Sequence, residues 1–359
     1  MEEKRAKIKV GVLGATGAVG QKFVVLLSGH PWFQLTELGA SERSAGKPYR
    51  EAVNWVQKVD LPREFQNLEI KECDPSQMDC EIVFSALDAS IAGEVETAFA
   101  KSGIAVFSNS KNHRLSQLVP LTIPEVNPEH FGLLELQQKE GGSKGFIVTN
   151  SNCSTMFLAM ALAPIHQKYG VEKVQVTTMQ AVSGAGYPGV PSLDILGNVI
   201  PYIGGEEEKI EIEARKILGE FKGDRIELAP FVVSAQCNRV AVEEGHLECV
   251  SVSLKAKPSL QEFIETYRNH SSSLTTELSL PSAPLKPIVV MEETNRPQPK
   301  KDVEREKGML TLIGRIRECP VLDFKFVILG HNTIRGAAGA SLLNAEYLVA
   351  KGLLGGRDS

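Results

Sequence analysis

Aromatic residues make up only 6% of the 359-residue chain, too few for the stacking platforms that hold single-stranded nucleic acid. Positive charge does not make up for them: 39 Lys and Arg stand against 44 Asp and Glu, a net charge of −5. No nucleic-acid-binding surface is therefore expected, although a local anion pocket stays open. Six cysteines, at 73, 80, 153, 237, 249 and 319, show no CxxC spacing, so neither a metal site nor a disulfide framework reads out of them. The longest apolar stretch, 157–165, is too short to span a bilayer, so no membrane partner is expected. The charged segment Met1 to Lys9 runs directly into a strand and does not read as a secretory leader. With 42% hydrophobic and 23% charged residues, the composition is that of a cytoplasmic protein of about two domains.

The first half alternates strand and helix. Residues 8–13 (IKVGVL) form a β-branched apolar run, followed by GATGAVG and an apolar helix through Leu27. Strands are expected at 35–40, 81–87 and 104–108, with a helix at 89–101, which predicts a doubly wound parallel sheet of Rossmann type. After Cys153 the pattern changes. A helix at 156–169 is followed by long β-like runs at 171–181, 231–240 and 246–255, with an acidic helix at 206–218. This suits an α+β domain with a largely antiparallel sheet. Five prolines between Pro281 and Pro299 suggest a long irregular connection over 271–299, and the charge run 300–307 a solvated loop beside it. A strand at 322–329 and a small-residue helix at 334–349 close the chain. The expected division is 1–152 for nucleotide binding, completed by the C-terminal helix 331–359, and 153–330 for catalysis and dimerisation.

Gly14, Gly17 and Gly20 sit where a strand hands over to a helix. Glycines there permit a tight turn and close approach of a pyrophosphate to free N–H groups at the helix start. The end of the second strand discriminates between cofactors. Glu42 would accept from a ribose 2′-OH, whereas Ser41, Arg43 and Ser44, with Lys47 nearby, would hold a 2′-phosphate; the balance favours NADP. Cys153, in NSNCST ahead of an apolar helix, is expected to have its thiolate stabilised by the helix dipole and by N–H groups that also serve as an oxyanion hole. The other five cysteines read as buried structural residues. His246, after a glycine and at the mouth of a strand, is the candidate proton partner. His331, in Gly330-His331-Asn332-Thr333, also marks a functional turn, while His30, His113, His130, His166 and His270 read as surface residues.

Together GATGAVGQKF, SNCST, the run Gln180 to Gly186, Arg239 followed seven residues later by His246, and the small-residue C-terminal helix resemble the aspartate-β-semialdehyde dehydrogenases. The motifs SNSKNHR, GGEEEK and RPQP point to the fungal and archaeal branch, and the resemblance runs over about residues 8–350. It implies that Cys153 attacks β-aspartyl phosphate and expels phosphate, and that the thioester is reduced with NADPH to aspartate semialdehyde, on the route to lysine, methionine and threonine. His246 would be the acid/base, taking the thiol proton and later exchanging one with the thiohemiacetal oxygen.

The same resemblance assigns Gln180 to positioning the acyl intermediate and Asn152 to substrate or phosphate. It gives Arg239 to the α-carboxylate, Glu206 to the α-ammonium, and Lys209 and Arg114 to phosphate. Gly14, Thr16, Gly17, Ala18, Val19 and Ser85 would contact the cofactor, and Ser183, Gly184, Asn332 and Thr333 would border its nicotinamide. A homodimer or homotetramer is implied. Other acyl-phosphate or acyl-CoA reductases, and an inert NADP-binding sensor, remain the rival readings; only the enzyme readings require Cys153, Gln180 and His246 together.

Overall fold

A computed structural model describes residues 6–355. Residues 1–5 and 356–359, assigned above to the nucleotide-binding unit and its closing helix, lie outside the described residues. The first sheet is built from β1 (Ile8–Leu13), β2 (Phe33–Ala40), β3 (Ile70–Glu72), β4 (Ile82–Ser85), β5 (Ala105–Ser108) and β6 (Phe146–Thr149). All five pairings are parallel and the order is β3-β2-β1-β4-β5-β6. That order reverses direction between β1 and β4, which opens a crevice at their carboxyl ends. Val10, Val12, Ile82, Val83 and Phe84 are fully buried, which is why these strands read as apolar runs, interrupted in β1 only by Lys9 at its exposed start, rather than as alternations.

The second sheet contains β7 (Val171–Gln180), β10 (Val232–Arg239), β11 (His246–Leu254), β12 (Ile288–Met291), β13 (Thr311–Glu318) and β14 (Phe324–Gly330), in the order β10-β7-β11-β14-β13-β12. A separate hairpin joins β8 (Glu220–Phe221) to β9 (Ile226–Glu227). The large sheet is mixed. The central pairings β7–β11, β11–β14 and β13–β14 are antiparallel, and the outer two, β10–β7 and β12–β13, are parallel.

Two strands escape a reading by pattern. β12 lies inside the proline-rich stretch read as irregular: its four apolar residues are bracketed by Pro287 and Pro297 and pair only along β13. β13 carries a register shift between Gly314 and Arg317, and Arg315 has φ 55°, so the bulge breaks the period-two signal. The neighbouring charge run is not wholly solvated either, because Asp302 is buried and accepts from the Gln298 N–H at 2.7 Å and from Arg296.

The helix Cys153–Tyr169 passes through the core, with every residue from Ser154 to Leu162 buried. An all-round apolar helix has no solvent face and is stable only between packed layers. The final helix, Gly339–Ala350, is nearly as enclosed, and Leu342, Ala345 and Leu348 join the core of the first sheet. Asn344 and Ser341 of this helix are hydrogen-bonded to Asn150 at 2.9 and 2.6 Å, just beyond β6.

Several single-residue readings are corrected. His30 and His130 are buried, not superficial: His30 pairs with Glu346 at 2.9 Å and His130 lies between Asn127 and the Gly219 carbonyl. Cys249 is exposed and Cys73, Cys80 and Cys319 are partly so, whereas Cys237 is buried. Cys249 and Val250 are consecutive on β11 and point to opposite faces, so one is out and the other in.

Candidate active site

Cys153 opens its helix, and Asn152 is the N-cap: its Oδ1 accepts from the N–H groups of Ser154 and Thr155 at 3.0 and 3.2 Å. Those two donors are therefore committed to the protein's own cap and are not free for an oxyanion. The Asn152 side chain is used at its other end as well, Nδ2 donating to Glu206 Oε1 at 2.5 Å. Burial is the largest influence on the Cys153 thiol, with Glu206 next, and pushes it up to about 12 against Arg114, Arg239 and the Ser154 N–H. The expected lowering by the helix start is thus outweighed by burial, and the thiol is protonated at neutral pH.

His246 begins β11, with Gly245 at φ 98° turning the chain into it. Its Nε2 lies 3.1 Å from Cys153 Sγ, and its Nδ1 accepts from the Ala181 N–H at 3.1 Å. Burial, then Arg239 and His331, hold its pKa down to about 3, so the ring is neutral at pH 7. Arg239 ends β10, and its Nη1 donates to the Ala181 carbonyl at 2.8 Å. A Cβ on Gly184 would lie 2.8 Å from that Nη1 and 3.1 Å from His246 Cε1, so only glycine lets this turn close over both side chains.

Gln180, Glu206 and Lys209 lie near the Cys153–His246 pair, Glu206 being tied to it through Asn152. Gln180 is buried at the end of β7 and donates to Thr178 Oγ1 at 3.3 Å. Lys209 reaches Glu206 Oε2 at 2.9 Å, one turn along the helix Glu206–Ile217. Burial would raise the Glu206 carboxyl, but Lys209 and the Asn152 amide together bring it below its ordinary value, so it is ionised.

The same helix carries two residues that the sequence reading passed over. Glu213 accepts from Arg114 Nη1 at 3.0 Å through one oxygen and from the Asn152 N–H at 2.6 Å through the other. Lys216 donates to the carbonyls of Arg114, Ser116 and Val119 at 2.7, 3.0 and 3.1 Å, holding the loop that bears Arg114. The signal is the spacing 206, 209, 213, 216, which repeats at helical period and puts all four on one face. Arg114 Nε is buried with no partner among the described residues, a donor suited to an anionic ligand.

On the nucleotide side, Gly14 has φ 74°, and a Cβ there would come within 2.6 Å of the Ala86 carbonyl at the end of β4. A Cβ on Gly20 would meet the Gly14 carbonyl at 2.1 Å. The turn Gly14 to Val19, with Thr16, Gly17 and Ala18, leads into the helix Ala18–Leu27, whose start has no side-chain cap. An uncapped helix start in the crevice between β1 and β4 fits a dinucleotide pyrophosphate.

A cavity of about 360 Å³ runs from Ala18 and Lys22 past Gln57 to Ser183, Glu244 and Thr333. Asn332 ties this end together, accepting from the Gly245 N–H at 2.8 Å and donating to Ser183 Oγ at 2.9 Å. Ser183 Oγ in turn donates to Glu244 Oε2 at 2.8 Å. Ser41, Arg43 and Ser44 form the turn after β2, closed by the Ser44 N–H on the Ser41 carbonyl at 2.8 Å, with Lys47 Nζ on the Arg43 carbonyl at 2.9 Å. Ser85 ends β4, is fully buried, and its hydroxyl donates to Glu96 at 2.6 Å.

The chain matches two families: the semialdehyde dehydrogenase NAD-binding domain over residues 9–133 and the semialdehyde dehydrogenase dimerisation domain over 162–335. It is 49% identical to the aspartate-semialdehyde dehydrogenase of Archaeoglobus fulgidus over 97% of this chain and 100% of the relative. It is 48% identical to that of Schizosaccharomyces pombe, over 96% and 99%. Among solved structures, the Candida albicans aspartate semialdehyde dehydrogenase with NADP superposes with a TM-score of 0.89 at 44% identity, covering 97% of this chain and 100% of that one.

Proposed function

The chain belongs to the semialdehyde dehydrogenase family, and from that premise we propose that it is an aspartate-semialdehyde dehydrogenase, reducing β-aspartyl phosphate with NADPH to aspartate semialdehyde and phosphate. The observation that carries the reading is the Cys153 Sγ to His246 Nε2 contact of 3.1 Å, with Arg239 and the Glu206–Lys209 pair near the sulfur. A thiol nucleophile, a proton partner and charges of both signs suit a zwitterionic acyl phosphate.

Cys153 Sγ forms a bond to the β-acyl carbon while the carbon–oxygen bond to phosphate breaks, leaving a thioester on the enzyme. Arg239 presents its planar fork to the α-carboxylate and Glu206 takes the α-ammonium. Arg114, held by Glu213, and Lys209 receive the phosphate, and Gln180 orients the acyl group. NADPH, when bound, supplies the hydride that converts the thioester to a thiohemiacetal. His246 is the acid/base at the sulfur and at the thiohemiacetal oxygen, whose collapse restores Cys153 and releases the aldehyde.

Gly14, Thr16, Gly17, Ala18 and Val19 would hold the pyrophosphate, and Ser41, Arg43 and Ser44 the 2′-phosphate. Ser183, Gly184, Asn332 and Thr333 would border the nicotinamide. The exposed apolar side chains Leu193, Leu196, Val199 and Tyr202, with the dimerisation-domain match, support a homodimer or homotetramer. No helix among the described residues is long and apolar enough to cross a membrane, which is compatible with the cytoplasmic location we propose.

The test is NADPH formation from aspartate semialdehyde, inorganic phosphate and NADP, with controls lacking phosphate or containing NAD. Formation that depends on phosphate and prefers NADP is the expected result. Folded protein that produces no NADPH under these conditions overturns the assignment.

A further inference from the structure

Both ring nitrogens of His246 are committed, and to different kinds of group. Nδ1 faces a backbone N–H, that of Ala181 at 3.1 Å, and Nε2 faces Cys153 Sγ, also at 3.1 Å. A backbone amide can only donate, so Nδ1 must offer a lone pair. In a neutral imidazole one nitrogen accepts and the other carries the hydrogen. We propose that the Ala181 N–H is a positioning group that fixes the tautomer of His246, so that the resting ring presents a hydrogen, and not a lone pair, to the sulfur of Cys153.

Ala181 is well placed for this task. It directly follows β7, with φ −64° and ψ 152°, and it is fully buried. Its carbonyl is held from the opposite side by Arg239 Nη1 at 2.8 Å and the Gly184 N–H at 3.1 Å. The peptide unit that carries the Ala181 N–H is anchored at its other end, where the Gln180 carbonyl accepts from the Val240 N–H at 3.0 Å. The charged and titratable groups around the ring, Cys153, Arg239 and His331, include no carboxylate in hydrogen-bond contact to favour a proton on Nδ1.

The consequence deepens the proposed acid/base role and rests on that reading. With its hydrogen on Nε2, His246 begins as the donor of the pair, stabilising negative charge on sulfur and then on the tetrahedral oxygen. To act as the base, the ring must first carry its hydrogen on Nδ1. The thiol proton then passes from sulfur to Nε2, the S–H electron pair stays on sulfur, and thiolate and imidazolium result. Both ring forms in that step put an N–H against the Ala181 N–H, so proton uptake by His246 requires the Ala181 hydrogen bond to open.

The test is nitrogen NMR of the full-length protein labelled with ¹⁵N-histidine, without substrate or cofactor near neutral pH. The His246 signals are assigned by their loss in His246→Gln. An unprotonated Nδ1 and a protonated Nε2 are expected. A protonated Nδ1 with a bare Nε2, or an averaged pair of shifts, overturns the proposal. A second sample replaces the amide at position 181 by an ester, with lactate in place of Ala181, which deletes the donor and keeps the side chain. It should show a gain of the Nδ1-protonated form; an unchanged tautomer would also overturn the proposal. Because these signals need no turnover, they are read even if the NADPH assay fails.

Discussion

Replacing Cys153 by Ala should lower the rate of NADPH-linked turnover by roughly 10⁴–10⁶-fold, the scale seen when a covalent nucleophile is removed, while NADP binding is unchanged. The expectation follows from position. Sγ is the atom that faces His246 Nε2, whereas the glycine-rich turn belongs to the other sheet, at the end of β1. Cys153 is also the first residue of its helix, where the cap is supplied by Asn152, so deleting one sulfur leaves the helix start intact. Steady-state rates and a fluorescence titration with NADPH check both halves. Turnover within tenfold of wild type would remove Cys153 from the chemistry, and joint loss of turnover and cofactor binding would point to a folding defect instead.

Legibility in the sequence varies with the kind of signal each residue leaves. β1 and the glycine turn are readable because a largely apolar strand running straight into glycines at fixed spacing and then a helix is the pattern of a nucleotide-binding turn. The resemblance supplies Arg239, and also Glu206 and Lys209, which a reading of charge alone would assign to a solvated helix start. Glu213 and Lys216 go unread because a charge run at a helix start looks solvated until the helix is docked, and here its inner face packs on the Cys153 helix and the Arg114 loop. β13 is lost to a bulge and β12 to its flanking prolines, both local breaks in periodicity. The thiol of Cys153 shows the limit most clearly: a helix N-terminus is visible in sequence, but the burial that outweighs it is not.

Arg239→Leu should cost kcat/KM roughly 30- to 5,000-fold, the kinetic equivalent of about 2–5 kcal/mol for a buried charge left without its hydrogen-bonded partner. The guanidinium is buried and spends one donor on the Ala181 carbonyl, and the remaining donors of its fork are those proposed for the α-carboxylate. The loss should fall mainly on substrate affinity, and Arg239→Lys, which keeps the charge without the fork, should recover only part of it. A short aldehyde lacking the α-carboxylate should be nearly indifferent to the substitution. Equal losses for both substrates would show that Arg239 acts through the fold of the Ala181 turn and not through the carboxylate.

The proposed reaction depends on one chemical species, an acyl group carried on Cys153. Intact-protein and peptide mass spectrometry after mixing the enzyme with β-aspartyl phosphate in the absence of NADPH tests it most directly. One aspartyl group per chain is expected, located on the peptide containing Cys153, removed by hydroxylamine and absent from Cys153→Ala. A protein that converts β-aspartyl phosphate when NADPH is supplied but carries no such adduct, or carries it on another cysteine, would contradict the proposed thioester route.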